Sequence, residues 1–415
     1  MGVFCMRKFI SIFITIYLII FNLNFCYASD SIYTWSSPAK ETMAVTNNIT
    51  EEFTNDKSNP LNLDCASAIL IEQNTGKILY SYNVHEKLRP ASVTKIMSIL
   101  LIMDAIKDGK INYDTKIPCS ENAAAMGGSQ IWLDTTENLS VEEMLKAICV
   151  VSANDCVTAM AEYLGGTEEG FVKMMNEKAK SLGMNDTEFK NCHGIDEDGH
   201  MTSSYDISLM SRELLNNYPE ITKYTTIWSD SLRDGKSELI NTNKLVHNYK
   251  GCTGLKTGST SQALFNLSAS ATRDDLSLIA VVMKSPTSTK RFKSASSLLD
   301  YGFANFEYKK LISKDDAIKS VKVSKGVVSE TNVIAESDCG TLTTKGNDFN
   351  IEQNIEMPDT ISAPIKKGEN IGKLTYVLDG EKVGECNLVV NEDIDKISYI
   401  GMERFVLNKW FTLLR

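Results

Sequence analysis

Histidine is scarce in this chain: His85, His193, His200 and His247 are the whole supply among 415 residues. That scarcity limits metal chemistry and leaves few partners for a Ser-His-Asp triad. No serine stands in a Gly-x-Ser-x-Gly elbow, which argues against an α/β-hydrolase. Proline stops at 8 residues and glycine at 24, so collagen-like and low-complexity chains are excluded. Positive charge is in deficit: 43 basic against 53 acidic residues leave −10, and no nucleic-acid partner is expected without a basic footprint. The ten cysteines include no Cys-x-x-Cys pair, so a zinc ribbon is not indicated. What is present, 43% hydrophobic and 23% charged residues, is a globular balance with length for two domains plus tails.

Arg7 and Lys8 precede the uncharged apolar run Phe9–Phe21, and Cys26-Tyr27-Ala28 offers small residues at the −3 and −1 positions. Residues 1–28 are therefore expected to be a secretory signal peptide, with a retained N-terminal anchor as the alternative. Either way the remainder lies outside the cytoplasmic membrane. Cys65, Cys149, Cys156 and Cys192 sit in apolar settings and read as buried free thiols, although export would permit disulfides. Residues 29–60 are polar and read as a flexible linker.

Two short apolar stretches, Ala66–Ile71 and Lys77–Tyr82, flank a Gln73-Asn74-Thr75-Gly76 turn and predict a hairpin. From Ser92 the period becomes helical, with Ile96, Ile99, Leu100, Met103 and Ile106 on one face. Helical patterns follow over 141–150, 155–164, 168–182 and 205–216. Strands return at Leu264–Ala271 and Leu276–Met283, then a helix at Arg291–Phe303. Strands at both ends with helices between predict one antiparallel sheet with helices on both faces, an α/β (α+β) domain over 61–308. Short β stretches at Ile318–Val323, Asn332–Ala335, Ile351–Met357, Gly372–Leu378 and Glu385–Val390 predict a small all-β sandwich over 309–395. Residues 396–415 form an amphipathic pattern with Tyr399, Met402, Val406, Trp410 and Leu414 away from Arg404, Asn408 and Arg415. That segment is too polar to span a bilayer and suits a membrane interface or docking onto the β domain.

With histidine short, a lysine is the remaining base for a serine nucleophile. Ser92-Val93-Thr94-Lys95 opens the apolar helix, and the three-residue step puts Ser92 and Lys95 on one face. The helix N-terminus favours negative charge on the serine oxygen, while burial beside a second cation would lower the lysine pKa. Taken alone the pair also fits a helix cap with a solvated lysine. A second copy, Ser37-Pro38-Ala39-Lys40, lies in the polar linker and has no following helix. Ser152-Ala153-Asn154 falls between two helical stretches, where it presents a hydroxyl and an amide inward or merely caps a helix. Lys256-Thr257-Gly258 precedes the Leu264–Ala271 strand. It offers a second cation, a hydroxyl for a carboxylate and a position with no side chain to obstruct a substrate, or else a plain glycine turn.

These motifs, in this order, together with Leu182-Gly183-Met184, His193-Gly194 and Ser204-Tyr205-Asp206, resemble the penicillin-recognising serine enzymes. Among them the chain is most similar to the low-molecular-mass penicillin-binding proteins, the D-alanyl-D-alanine carboxypeptidases of peptidase family S11 (class C, type-5-like). The resemblance covers about residues 60–305 well. The β domain and terminal helix match the family layout more weakly. It implies a penicillin-binding-protein/β-lactamase-like transpeptidase domain, hydrolysis of the terminal D-alanine from peptidoglycan stem pentapeptides through an acyl-enzyme, and covalent inhibition by β-lactams. It also implies Ser92 as nucleophile, Lys95 as proton acceptor, Ser152 as proton relay and Asn154 as substrate holder. Lys256, Thr257, Gly258 and Ser259 would bind substrate, with the Ser92 and Ser259 N–H groups as oxyanion donors. No metal or organic cofactor is required. The family usually carries Ala-Gly shortly after the Lys-Thr-Gly motif, whereas here Ala263 is followed by Leu264. His193 and His200 read as structural, and Arg291 as a carboxylate helper or a helix cap.

Two rival readings remain at this level. A class A β-lactamase shares the nucleophile but adds a glutamate acting through water, and no Glu-x-x-Leu-Asn stretch lies between Ser152 and Lys256. A non-catalytic wall-binding module would keep the fold, with Leu264 as its support. The implied location is the outer face of the cell membrane, peripheral through the terminal helix, or secreted.

Overall fold

A computed structural model describes residues 59–346, 351–378, 380–403 and 410. The expected signal peptide, nearly all of the expected linker with the Ser37 copy, and positions 404–409 and 411–415 of the expected terminal helix lie outside the described residues.

A five-stranded sheet organises the first part. Its strands are β1 (Ser67–Glu72), β2 (Ile78–Tyr82), β7 (Cys252–Thr260), β8 (Leu264–Arg273) and β9 (Leu276–Ser285), in the order β2-β1-β9-β8-β7. Every described pairing is antiparallel, and β1 pairs with β9, joining the chain's early and late strands. Strand alternation divides the apolar runs between two cores. Ile69, Ile71, Ile279, Val281 and Met283 face a helical layer. Ala68, Leu70, Leu278, Ala280 and Val282 face Leu298, Leu299 and Phe303 of a single late helix. Burial on both faces is why these strands read as unbroken apolar runs.

The helical layer contains α1 (Lys95–Lys107), α2 (Val141–Val150), α3 (Asn154–Gly165), α4 (Glu168–Ser181) and α5 (Ser204–Asn217), and α6 (Ser288–Asn305) covers the opposite face. Ser140 caps α2 in a reciprocal box with Glu143, and Thr167, Ser203 and Thr287 cap α4, α5 and α6. The sequence suggested one apolar face for α1. In the structure Met97, Leu101 and Ile102 are buried as well, because α1 runs between α3, α4, α5 and the sheet. Two small two-stranded sheets were not foreseen: β3 (Lys116–Pro118) with β4 (Asn138–Ser140), and the hairpin of β5 (Ser229–Leu232) with β6 (Ser237–Ile240).

Helix α6 ends at Asn305 and β10 (Phe306–Ile312) begins at the next residue. The second part is all-β: β11 (Ala317–Ser324), β12 (Glu330–Ala335), β13 (Cys339–Thr344), β14 (Ile351–Glu356), β15 (Thr360–Ser362), β16 (Asn370–Leu378) and β17 (Glu381–Val390). Six strands form a sheet in the order β14-β16-β17-β12-β11-β15, and β10 pairs with β13. Both sets share a core of Ile312, Cys339, Val333, Leu374, Leu388 and Val390.

Candidate active site

The nucleophile motif sits where α1 meets the edge strand β7. Residues Ala91–Thr94 form a single 3-10 turn ahead of α1, placing half-buried Ser92 one turn from fully buried Lys95. Neither Ser92 nor Thr94 acts as a side-chain cap, and the lysine is not solvated. Lys95 Nζ lies 3.1 Å from Ser92 Oγ, 2.6 Å from Asn154 Oδ1 and 2.7 Å from the His193 carbonyl oxygen. Asn154 Nδ2 donates to the Gly127 carbonyl at 2.6 Å, which fixes its oxygen toward Lys95. An amide oxygen and a backbone carbonyl can only accept. A neutral amine has two N–H donors and one lone pair, so its lone pair is left facing Ser92. Burial, and next the charge of Lys256, hold the Lys95 pKa well below the usual lysine range.

Ser152 stands at φ +66 immediately before α3, whose N-cap is Ala153 with no side-chain cap. The alternative of a capping Ser152 or Asn154 is therefore not what the chain adopts. Ser152 Oγ is buried and among the described residues has no hydrogen-bond partner. An orphaned buried hydroxyl on a left-handed residue is a costly arrangement of the kind kept at functional sites.

The third motif is part of a continuous edge strand, not a glycine turn. Pairs run in register from Leu255↔Ala269 through Lys256↔Ser268 and Gly258↔Asn266 to Thr260↔Leu264. A Cβ on Gly258 would stand 2.8 Å from the Pro90 carbonyl oxygen and 2.9 Å from the Ser92 and Val93 nitrogens, so only glycine permits this approach. Lys256 is buried, donates to the Thr257 carbonyl at 3.0 Å, and has its pKa lowered to about 7 by burial and by Arg291. It acts on Lys95 through its field, without a direct bond. The Thr257 hydroxyl meets Thr242 Oγ1 at 2.7 Å, and Ser259 is exposed on the same strand. Leu264 adopts φ +55, a conformation that glycine takes without strain, and the β7–β8 register runs unbroken from Gly254↔Ser270 to Thr260↔Leu264.

His193 and His200 are buried in the loop that crosses this region. Burial pushes their pKa values down to about 3 and about 4. His193 Nδ1 accepts from Ile195 N, and His200 Nδ1 accepts from Lys190 N, leaving His200 Nε2 to donate to Thr94 Oγ1 at 2.8 Å. Arg291 Nη1 donates to the Gly258 and Asn266 carbonyls at 3.2 and 3.1 Å, bracing the strands rather than capping a helix.

Two functional supports escaped the sequence reading. Asn266, fully buried in β8, donates from Nδ2 to the carbonyls of Arg89 and Pro90 and so anchors the turn into Ser92. A polar residue inside an apolar strand was the available signal. Asp155, next to Asn154, accepts the amides of Ile131 and Leu133 on Oδ2, each at 3.0 Å, and nothing in its local sequence marks that role. All eight described cysteines are free, six of them buried and Cys65 and Cys252 half-buried.

The family described as D-alanyl-D-alanine carboxypeptidase matches residues 53–287, and that described as Penicillin-binding protein 5, C-terminal domain, matches residues 306–396. The D-alanyl-D-alanine carboxypeptidase DacF of Bacillus subtilis (strain 168) is 43% identical over 351 residues, covering 84% of this chain and 90% of that protein. Penicillin binding protein 5 from Haemophilus influenzae superposes with a TM-score of 0.66 at 31% identity, over 82% of this chain and 100% of that one. Penicillin-Binding Protein D2 from Listeria monocytogenes, solved in its ampicillin-bound form, gives a TM-score of 0.55 at 28% identity, over 59% of this chain and 100% of that one.

Proposed function

The chain belongs to the D-alanyl-D-alanine carboxypeptidase family, and from that premise we propose how this site carries the reaction. The protein is a serine-type D-alanyl-D-alanine carboxypeptidase and a penicillin-binding protein. Neutral Lys95 takes the Ser92 proton, and Ser92 Oγ attacks the carbonyl carbon of the penultimate D-alanine. The Ser92 and Ser259 N–H groups receive the oxyanion, each such donor being worth about 10²–10³ in rate. Ser152 passes the proton to the leaving nitrogen, the C–N bond breaks, and the terminal D-alanine departs. Asn154 holds the substrate amide and orients Lys95. Lys256 and Thr257 receive the terminal carboxylate, and the missing Gly258 side chain gives the peptide room along β7. Water then hydrolyses the Ser92 ester. β-Lactams would acylate the same oxygen, a reading supported by the ampicillin-bound relative.

The observation that carries this assignment is the Lys95 environment: a buried amine with two obligate acceptors, a neighbouring cation and Ser92 Oγ at its remaining position. Its test is D-alanine release from a muramyl pentapeptide. The wild type should release D-alanine, and Lys95→Ala should lose at least about 10²–10⁴ in rate. Full activity in Lys95→Ala would overturn the base assignment. Nitrocefin separates the lactamase alternative, since one stoichiometric burst is expected and rapid steady turnover contradicts it.

We place the protein at the extracytoplasmic face of the membrane, peripheral through residues 396–415, or secreted. The signal-like residues 1–28 and the exposed Tyr399, Ile400, Met402 and Trp410 support this. No described helix is long and apolar enough to cross a membrane.

A further inference from the structure

We infer that Trp132 is a binding platform for the part of the substrate that precedes the scissile bond, taking an aliphatic C–H face against its indole. The inference rests on the carboxypeptidase reading above. Trp132 is 75% exposed, although Ile131 and Leu133 on either side are buried in the core. Its φ is +53, a strained value for a bulky side chain. The surrounding backbone is fastened on every side. Asp155 takes the amides of Ile131 and Leu133. Arg233 donates Nη1 to the Ile131 carbonyl at 2.8 Å and Nη2 to the Trp132 carbonyl at 3.3 Å. Arg233 is itself held by the Glu137 carboxylate. With its amide turned to satisfy both neighbours, Gln130 donates to the Met126 carbonyl at 2.7 Å and accepts from Trp132 Nε1 at 3.3 Å. The indole N–H is thus occupied, while the indole itself remains exposed. Core packing would have turned the ring inward; here four backbone hydrogen bonds and a strained torsion hold it out.

The same loop meets the reaction site. Asn154 donates Nδ2 to the Gly127 carbonyl and its own N–H to the Ser129 carbonyl. Asn154 holds the substrate amide in the proposed course, and Trp132 lies farther along that loop. Two parts of the substrate present an aliphatic C–H face upstream: the diamino-acid side chain of the stem peptide and the pyranose ring of the muramyl sugar.

The test uses the full chain and three substrates: a short acyl-D-alanyl-D-alanine, a free pentapeptide and a muramyl pentapeptide. In Trp132→Ala and Trp132→Gly the preference for long over short substrate, as a ratio of kcat/KM, should fall about tenfold through KM. Trp132→Phe should restore most of it. The glycine variant accepts the left-handed torsion, so it removes the indole while sparing the loop. A fall already present with the free pentapeptide assigns the face to the diamino acid; a fall confined to the muramyl substrate assigns it to the sugar. An unchanged ratio in both variants, whether or not the rates drop together, overturns the platform. A wild type that releases no D-alanine from any substrate overturns the carboxypeptidase reading itself, and the platform with it.

Discussion

Lys95 and Lys256 are both buried, and two ammonium groups sharing one dry site cannot both keep their charge cheaply. Lys95 gives way first, and Lys256, lowered to about 7, is the group left to titrate near neutrality. Above that value Lys256 is neutral in the free enzyme and no longer attracts a carboxylate. The expected outcome is a kcat/KM that declines as pH rises through about 7, followed between about pH 5 and pH 9 on an acyl-D-alanyl-D-alanine substrate. A profile still climbing above about pH 8 would contradict this role for Lys256. Strain is concentrated on single residues in these segments: Ala91, Trp132, Ser152 and Leu264 all have positive φ. Leu264 has no catalytic task to justify its torsion, so Leu264→Gly should raise stability by up to about 1 kcal/mol. A higher thermal midpoint with unchanged penicillin labelling is the expected result, and a lower midpoint contradicts it.

Between elements, the segment from Asn191 to Ser203 is the later part of the connection from α4 to α5 and packs against the turn that carries Ser92. A Cβ on Gly194 would stand 1.9 Å from the Ala91 carbonyl oxygen. His193 and His200 hold that segment as neutral rings. Their folded pKa values, about 3 and about 4, lie below the ordinary 6.5, so below about pH 6.5 the unfolded chain binds protons that the folded chain refuses. Stability from these rings is complete above that pH and is lost as pH falls, by about 1.4 kcal/mol per unit for each ring. Thermal midpoints should be level above about pH 7 and fall steeply toward about pH 4.5, with a shallower fall in His200→Gln. A midpoint level across that range would contradict the account. The long helices of this layer were readable because each starts at a side-chain cap or a motif, and all but the nearly all-buried α1 carry a clear apolar period. Strand β7 was not, because Cys-Thr-Gly-Leu-Lys-Thr-Gly-Ser-Thr has no alternation, and its place comes from pairing with β8 and close contact with the Pro90–Val93 turn. The β5–β6 hairpin was hidden similarly, being fastened by Arg233 to Glu137 far away in sequence.

At the scale of the whole chain, the sheet domain and the all-β part meet without a spacer. Phe306 and Tyr308 of β10 and Leu342 of β13 join the same core as Leu298 and Phe303 of α6, and Lys345 Nζ donates to the Phe303 carbonyl at 2.7 Å. Three sequence motifs pointed to Ser92, Lys95, Asn154 and Lys256 because each, in the proposed mechanism, acts through its own side chain. Asp155, Asn266 and Trp132 stayed unseen because each acts through contacts with distant backbone or through an exposure that no local pattern reports. The proposed mechanism makes one serine among many, Ser92, the nucleophile. The intact mass of the full chain after penicillin treatment, with the adduct then located by peptide mapping, tests this most directly. One penicilloyl group on Ser92, absent from Ser92→Ala, is the predicted result; an adduct elsewhere, or one retained in Ser92→Ala, would contradict the account.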